Sequence, residues 1–371
     1  MASTPWLLFD AHQDLAWNAL TFGREYTRSA YETRRIEHET GSIAPQVNGD
    51  TLLGWPEYQQ GRVALALATL FAAPARRRSG DWETQVYATP EEAARVYRGQ
   101  LAHYQRWTAA HPDHWRLLRT PEEVQAHWRR WTQGEGPHPV GLLLLMEGAE
   151  GIQDFDELPW WREQGLRIIG PAWAGTRFCG GTGEPGPLTP EGRALLRAMA
   201  EQDFILDLSH MDEAAALEAL DTYDGAIVAT HANPQSMVRR PSNRFLSDPV
   251  IRKLIERDGV IGIIPYNRFL VPDWEPGMPK DRVSLDVVAQ HIDAIAQMAG
   301  NVRHVALGTD FDGGFGVQSV PAEIDTIADL PRLAEFLERR GYTEDDIRHI
   351  FGENWLRIFG QPEPAGQEEG A

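Results

Sequence analysis

Residues 140–147 read VGLLLLME, an unbroken apolar run that ends on a single carboxylate. A continuous run, rather than an alternating one, is the pattern of a parallel strand covered on both faces. Seven more segments of this kind lie along the chain: Trp6–Ala11, Val63–Phe71, Arg167–Ala172, Phe204–Leu208, Ala226–Thr230, Val260–Pro265 and His304–Gly308. Helical patterns separate most of them. Thr89-Pro90-Glu91-Glu92 and Thr120-Pro121-Glu122-Glu123 each offer a capping hydroxyl, a proline at the first helical position and a glutamate at the third. Thr189-Pro190-Glu191 and Thr343-Glu344-Asp345-Asp346 read as further starts. Eight strands alternating with helices point to an α/β protein built as a (β/α)8 TIM barrel. A doubly wound open sheet is the alternative.

Three long insertions interrupt the alternation: Gly23–Leu53 after the first strand, Ala75–Ala88 after the second and Cys179–Leu188 after the fourth. In a barrel these connections all lie at the C-terminal face, where they would wall a pocket. One domain over residues 1–360 is expected. The Pro/Glu/Gly-rich tail 361–371 is expected to be disordered.

A formal net charge of −19 argues against nucleic acid as a partner, because polyanions are met by basic surfaces. Cys179 is the only cysteine, so no intrachain disulfide is possible and nothing demands an oxidising compartment. The start, MASTPWLLFDAHQD, lacks a basic segment followed by a long apolar one, and so does not read as a signal peptide. No stretch approaches the ~18 apolar residues of a membrane span; VALALATLFAA (63–73) is too short. The expectation is a cytoplasmic protein without a membrane partner.

Chemistry gathers where the apolar runs stop. His12 and Asp14 end the first strand, and residues two apart on a strand share a face, which suits chelation of one ion. Glu147 ends VGLLLLM, where an ionised carboxylate costs several kcal/mol unless it is paired or metal-bound. A carboxylate can also bridge two cations. His210 (ILDLSH) and His231 (IVATH) end consecutive strands, and two neutral imidazoles side by side suit zinc. In ALGTDFDGG, Asp310 comes first after the eighth strand and is the candidate general acid/base; Asp312 is expected to anchor the loop. Many two-metal barrel hydrolases bridge their ions with a carboxylated lysine. The only lysines here, Lys253 and Lys280, lie in a helical pattern and a proline-rich loop, so the bridging duty falls to Glu147.

The segments DAHQDL (10–15), MEGAEGI (146–152), DLSHM (207–211), THANPQSM (230–237), GVIGI (259–263), LGTDFDGG (307–314) and GENWLRIFG (352–360) occur in that order over nearly the whole chain. Together they resemble the membrane (renal) dipeptidase family of zinc metallopeptidases, within the amidohydrolase-like barrels. The resemblance implies two zinc ions per chain: one on His12 and Asp14, the other on His210 and His231, with Glu147 shared. It implies hydrolysis of dipeptides by a hydroxide between the ions, Asp310 as the proton carrier, and often a homodimer.

The family also binds the substrate carboxylate through an arginine after the last ligand histidine. Arg244 is the candidate, with Arg239 or Arg240 as substitutes; Tyr266 and Trp173 complete the expected substrate contacts. One position departs from the pattern. Trp173 stands where the dipeptidases carry a histidine that contacts the substrate, and Arg177 is the candidate near it to restore the charge. Zinc binding is not threatened by that change, but the substrate is left open. The alternatives are an N-acyl amino acid, lactone or phosphoester hydrolase, a deaminase, or a silent binding homologue.

Overall fold

The run that ends on Glu147 is buried at every residue and is the third of eight parallel strands. In chain order these are β1 (Leu8–Gln13), β2 (Val63–Phe71), β3 (Val140–Glu147), β4 (Leu166–Gly170), β5 (Ile205–Asp207), β6 (Ile227–Val228), β7 (Ile261–Ile263) and β8 (Val305–Leu307). The computed structural model describes residues 6–134 and 137–360; the tail 361–371 lies outside them. Strands β1 to β6 pair in sequence order, and β7 pairs with β8, all in parallel. A bridge between Ala229 and Ile261 joins β6 to β7, and one between Gln13 and Phe311 joins the end of β8 to β1. The ring is therefore closed. Strand order never reverses, which excludes the doubly wound alternative.

Continuous apolar runs form these strands because both faces are covered, by the barrel interior on one side and helices on the other. Every residue of VALALATLF in β2 is buried, as is every one in β3. Each leucine so buried contributes roughly 1.5–3 kcal/mol. Thr89, Thr120, Thr189 and Thr343 cap the helices Pro90–Ala110, Pro121–Gln133, Pro190–Glu201 and Glu344–Arg348, each hydroxyl accepting from an amide three residues on. Where β7 and β8 run against Thr230, a side chain cannot fit. A Cβ on Gly262 or Gly308 would stand 2.0 or 1.8 Å from the Thr230 carbonyl oxygen.

The insertions are structured. Gly23–Leu53 carries the helices Ala30–Thr40 and Ala44–Val47, and Cys179–Leu188 folds into an antiparallel hairpin of Cys179–Gly181 and Glu184–Leu188. Strand ends differ from the sequence reading in both directions. β1 runs two residues further than expected and includes His12, while β5 and β6 stop short of their apolar runs because the chain leaves the ladder to turn residues into the mouth. No helix among the described residues is long and apolar enough to cross a membrane.

Candidate metal centre and substrate cleft

Side chains from five strands meet at the C-terminal mouth of the barrel. His12 Nε2 lies 3.8 Å from Asp14 Oδ1, 3.7 Å from Glu147 Oε2 and 3.9 Å from Asp310 Oδ1. Glu147 Oε1 lies 3.1 Å from His210 Nε2 and 3.4 Å from His231 Nε2, and those two nitrogens are 3.0 Å apart. Ligand atoms of His12, Glu147 and His231 fall within 4.8 Å of one another, as do those of His12, Asp14 and Asp310. His12 and Asp14 do not converge by strand alternation. Asp14 has left the strand (φ −85°, ψ 48°) and precedes the helix Leu15–Phe22 without its side chain bonding a helix amide, which leaves the carboxylate free to face His12.

Two buried aspartates that the sequence reading passed over hold this arrangement. Asp207, the last residue of β5, accepts hydrogen bonds from the Thr230 amide (2.9 Å) and hydroxyl (2.5 Å). Having given its proton to Asp207, the Thr230 hydroxyl can only accept from Nδ1–H of His231, 3.0 Å away. That fixes the tautomer and leaves a lone pair on Nε2, facing Glu147. Asp10 does the same service across the ring, accepting from the Thr309 amide at 2.7 Å and its hydroxyl at 2.5 Å, and so placing Asp310. Thr182 bonds Nδ1 of His210 at 2.9 Å, and the Thr69 hydroxyl donates to Asp14. A signal was present in DAH and DLSH, an aspartate inside an apolar run, and in ATH and GTD, a threonine just before His231 and Asp310. His210, Asp310 and Asp312 all adopt left-handed backbone (φ 67°, 56° and 66°), a conformation that Asp and His tolerate better than most residues.

The electrostatics call for a cation. Burial, with the charge of Arg244, pushes His12 down to about 3, and burial is also the main cause that holds His210 and His231 well below the usual histidine range. All three rings are neutral and able to ligate. Glu147 and Asp310 are pushed well above the carboxylate range by burial and then by the nearby Asp14 carboxylate, and burial raises Asp14 to about 6. Three acids in a buried space repel unless positive charge stands among them. Glu147 Oε1 is buried and accepts no hydrogen bond, which is the state of an atom shaped for a metal ion. The residues present fit a zinc-type ligand set of imidazole nitrogens and carboxylate oxygens.

A cavity of about 730 Å³ opens above these groups. Arg244, Trp173 and Tyr266 all line it. Arg244 is buried; its Nη2 donates to the His231 carbonyl oxygen at 3.0 Å, while Nη1 has no partner. Arg240 also lines the cavity, but its guanidinium is held by Glu275 at 2.6 Å, and Arg239 is exposed. Arg177 is engaged by Glu150 and Glu191, both at 2.7 Å, outside the cavity wall. Asp312 faces away from the mouth and grips the first insertion, accepting from the Leu52 amide (2.8 Å), the Tyr26 hydroxyl (3.0 Å) and Arg24 (3.0 Å).

Residues 3–370 match the model of the membrane dipeptidase family, peptidase family M19. The chain belongs to that family. A protein of Klebsiella pneumoniae, described only as uncharacterised and lying in a pqqA 5′ region, is 33% identical over 231 residues, 59% of this chain and 82% of that one. The dipeptidase aclJ of Aspergillus oryzae is 30% identical over 178 residues, 48% of this chain and 40% of that longer one. A metallopeptidase from Rhodobacter sphaeroides, solved with a phosphinate mimic of the dipeptide L-Ala-D-Ala, superposes with a TM-score of 0.76 at 25% identity, covering 95% of this chain and 98% of that one.

The protein is thus a metal-dependent dipeptidase of family M19, on the barrel its strands describe. In this M19 dipeptidase Trp173 is half-buried on the cavity wall. Its ring tilts against Phe71 at 5.2 Å and stands 6.2 Å from the ring of His210.

Proposed function

We propose that this dipeptidase works with two zinc ions, one held by His12 and Asp14, the other by His210 and His231, with Glu147 shared between them. The observation that carries this is the Glu147 carboxylate. One oxygen faces the His210 and His231 pair and the other faces His12, and the first accepts no hydrogen bond although it is buried. Zinc, when bound, supplies an activated water as nucleophile and polarises the scissile carbonyl.

The chain's own residues bind and move protons around that centre. Arg244 takes the terminal carboxylate of the dipeptide on its open Nη1; it is a buried cation with no carboxylate within ion-pair distance among the described residues. Asp310 takes up the proton and passes it to the departing amine. Trp173 and Tyr266 bound the space in which the substrate side chains sit. A cytoplasmic location and a homodimer belong to the same proposal, the first resting on a chain with one cysteine and the second on the family.

Metal analysis of the purified protein, alongside hydrolysis of a dipeptide library that includes L,D pairs, tests the reading. Two zinc ions per chain and dipeptide cleavage are expected, with both reduced in Glu147→Gln. Zinc content untouched by that substitution would overturn the shared-ligand role.

A further inference from the structure

Across the ring from Arg244, the cavity has a wall of a different character. Trp17 follows β1, Phe71 ends β2, Trp82 belongs to the connection after β2, and Trp173 follows β4; all four line the cavity. Their rings brace one another. Trp17 meets Trp82 edge to face at 6.1 Å and 89°, and Phe71 at 6.4 Å, while Phe71 tilts against Trp173. Glu83 lines the cavity beside them and is 5% exposed. Its Oε2 accepts the Ser79 amide at 2.7 Å, and among the described residues its carboxylate has no ion pair. Of the neighbouring arginines, Arg77 also lines the cavity but is paired with Glu184 at 3.0 Å, and Arg78 is paired with Asp81 at 3.4 Å while donating to the main-chain oxygen of Glu83.

An aromatic wall alone would suit leucine or phenylalanine. A buried carboxylate with no cation in ion-pair contact, Arg78 acting on it only at longer range, does not, because an apolar group would strip its remaining water and return nothing. Aromatic faces carry negative potential, so rings and carboxylate both favour the same guest, an organic cation. With the substrate carboxylate on Arg244 and the scissile amide over Glu147, the amino-terminal residue points toward β1, β2 and β4, where this wall stands. The cavity, at about 730 Å³, lies in the upper half of the range of about 300–1,000 Å³ usual for small ligands and has room for a long side chain.

We propose that Trp17, Phe71, Trp82, Trp173 and Glu83 form the subsite for a cationic side chain, of the lysine or arginine class, on the amino-terminal residue of the dipeptide. This rests on the dipeptidase reading above.

The test uses zinc-loaded enzyme and pairs of dipeptides that differ only in charge: Lys-Ala against norleucyl-Ala, and Arg-Ala against citrullinyl-Ala, each with L- and D-alanine. At least a tenfold higher kcat/KM is expected for the charged member of each pair, and a collapse of that ratio in Glu83→Gln. In Trp82→Leu the ratio falls while the fold is kept, as judged by an unchanged Tm. Equal or better cleavage of the neutral members overturns the subsite and leaves the dipeptidase reading standing. An equal loss on both members in Glu83→Gln also overturns it, assigning Glu83 to the α-ammonium or to its own loop. Cleavage of none of the four removes both readings. Should Glu83→Gln fail to fold, the wild-type ratios decide the matter alone.

Discussion

Thr230 has one proton to give, and its destination decides what His231 can bind. The proton goes to Asp207, so the ring must present Nδ1–H to Thr230 and a bare Nε2 to the centre. Thr230→Val removes that constraint and is expected to weaken zinc affinity by roughly 10–100-fold, as losses of this type do; chelator competition measures it, and an unchanged affinity would count against the relay. Asp310 sits differently, near the first ion pair but available to substrate. Asp310→Asn should keep both metals and lower kcat by about 10²–10⁴, with wild-type turnover refuting its role as proton carrier. That His12, Asp14, Glu147, His210, His231 and Asp310 would gather at one mouth was legible, because each titratable residue follows an apolar run and strand ends of a barrel share a face. Asp10 and Asp207 were not, because their partners Thr309 and Thr230 lie 299 and 23 residues away and no local spacing records such a pairing. Arg177 misled for the same reason, its charge being spent on Glu150 and Glu191.

The helix Pro90–Ala110 shows how an element far from the chemistry supports it. Tyr97, Gln100 and Tyr104 share one face. Tyr97 donates to the Gly148 carbonyl oxygen at 2.5 Å, Tyr104 to that of Thr69 at 3.0 Å, and the Gln100 amide takes both main-chain groups of Phe71, at 2.8 and 2.6 Å. The ends of β2 and β3, and Glu147 with them, are thereby held from outside the ring. Gln100→Leu leaves the Phe71 amide and carbonyl without partners and is expected to cost about 1–3 kcal/mol, read from urea unfolding. The Gly23–Leu53 insertion is tied down by one buried carboxylate, Asp312, against Arg24. Asp312→Ala leaves Arg24 paired with Glu37 but takes the acceptor from the buried Leu52 amide and Tyr26 hydroxyl, and should cost about 1–3 kcal/mol; an unchanged stability would show the insertion to be held by its other contacts instead. The starts of these helices could be read directly from Thr-Pro-Glu-Glu. The hairpin Cys179–Leu188 could not, since its glycines and prolines suit an open loop equally well and only pairing distinguishes the two.

For the molecule as a whole, acid stability follows from two buried histidines remote from the centre. His127 bonds the Ala64 carbonyl oxygen and His291 that of Leu270, and burial holds each down at about 4. Their folded values lie below the unfolded value of about 6.5, so the folded chain binds fewer protons. The stability they carry is complete above pH 6.5 and is lost as pH falls from there toward 4, by up to about 3 kcal/mol per histidine. The double variant His127→Gln/His291→Gln should show a flatter Tm against pH between 6.5 and 4.5; a parallel curve would exclude this origin. The closed eight-strand ring was legible because each strand is apolar throughout and most alternate with helices, but the side chains that seal it were not, since they lie at opposite ends of the chain. They meet through Asp10 and Thr309. A nascent chain emerging from the ribosome therefore carries all three ligand histidines long before it has anything to close them with. The geometry of the centre is completed only when the last strand docks on the first, so opening of that one seam would disperse the groups that the ring gathers.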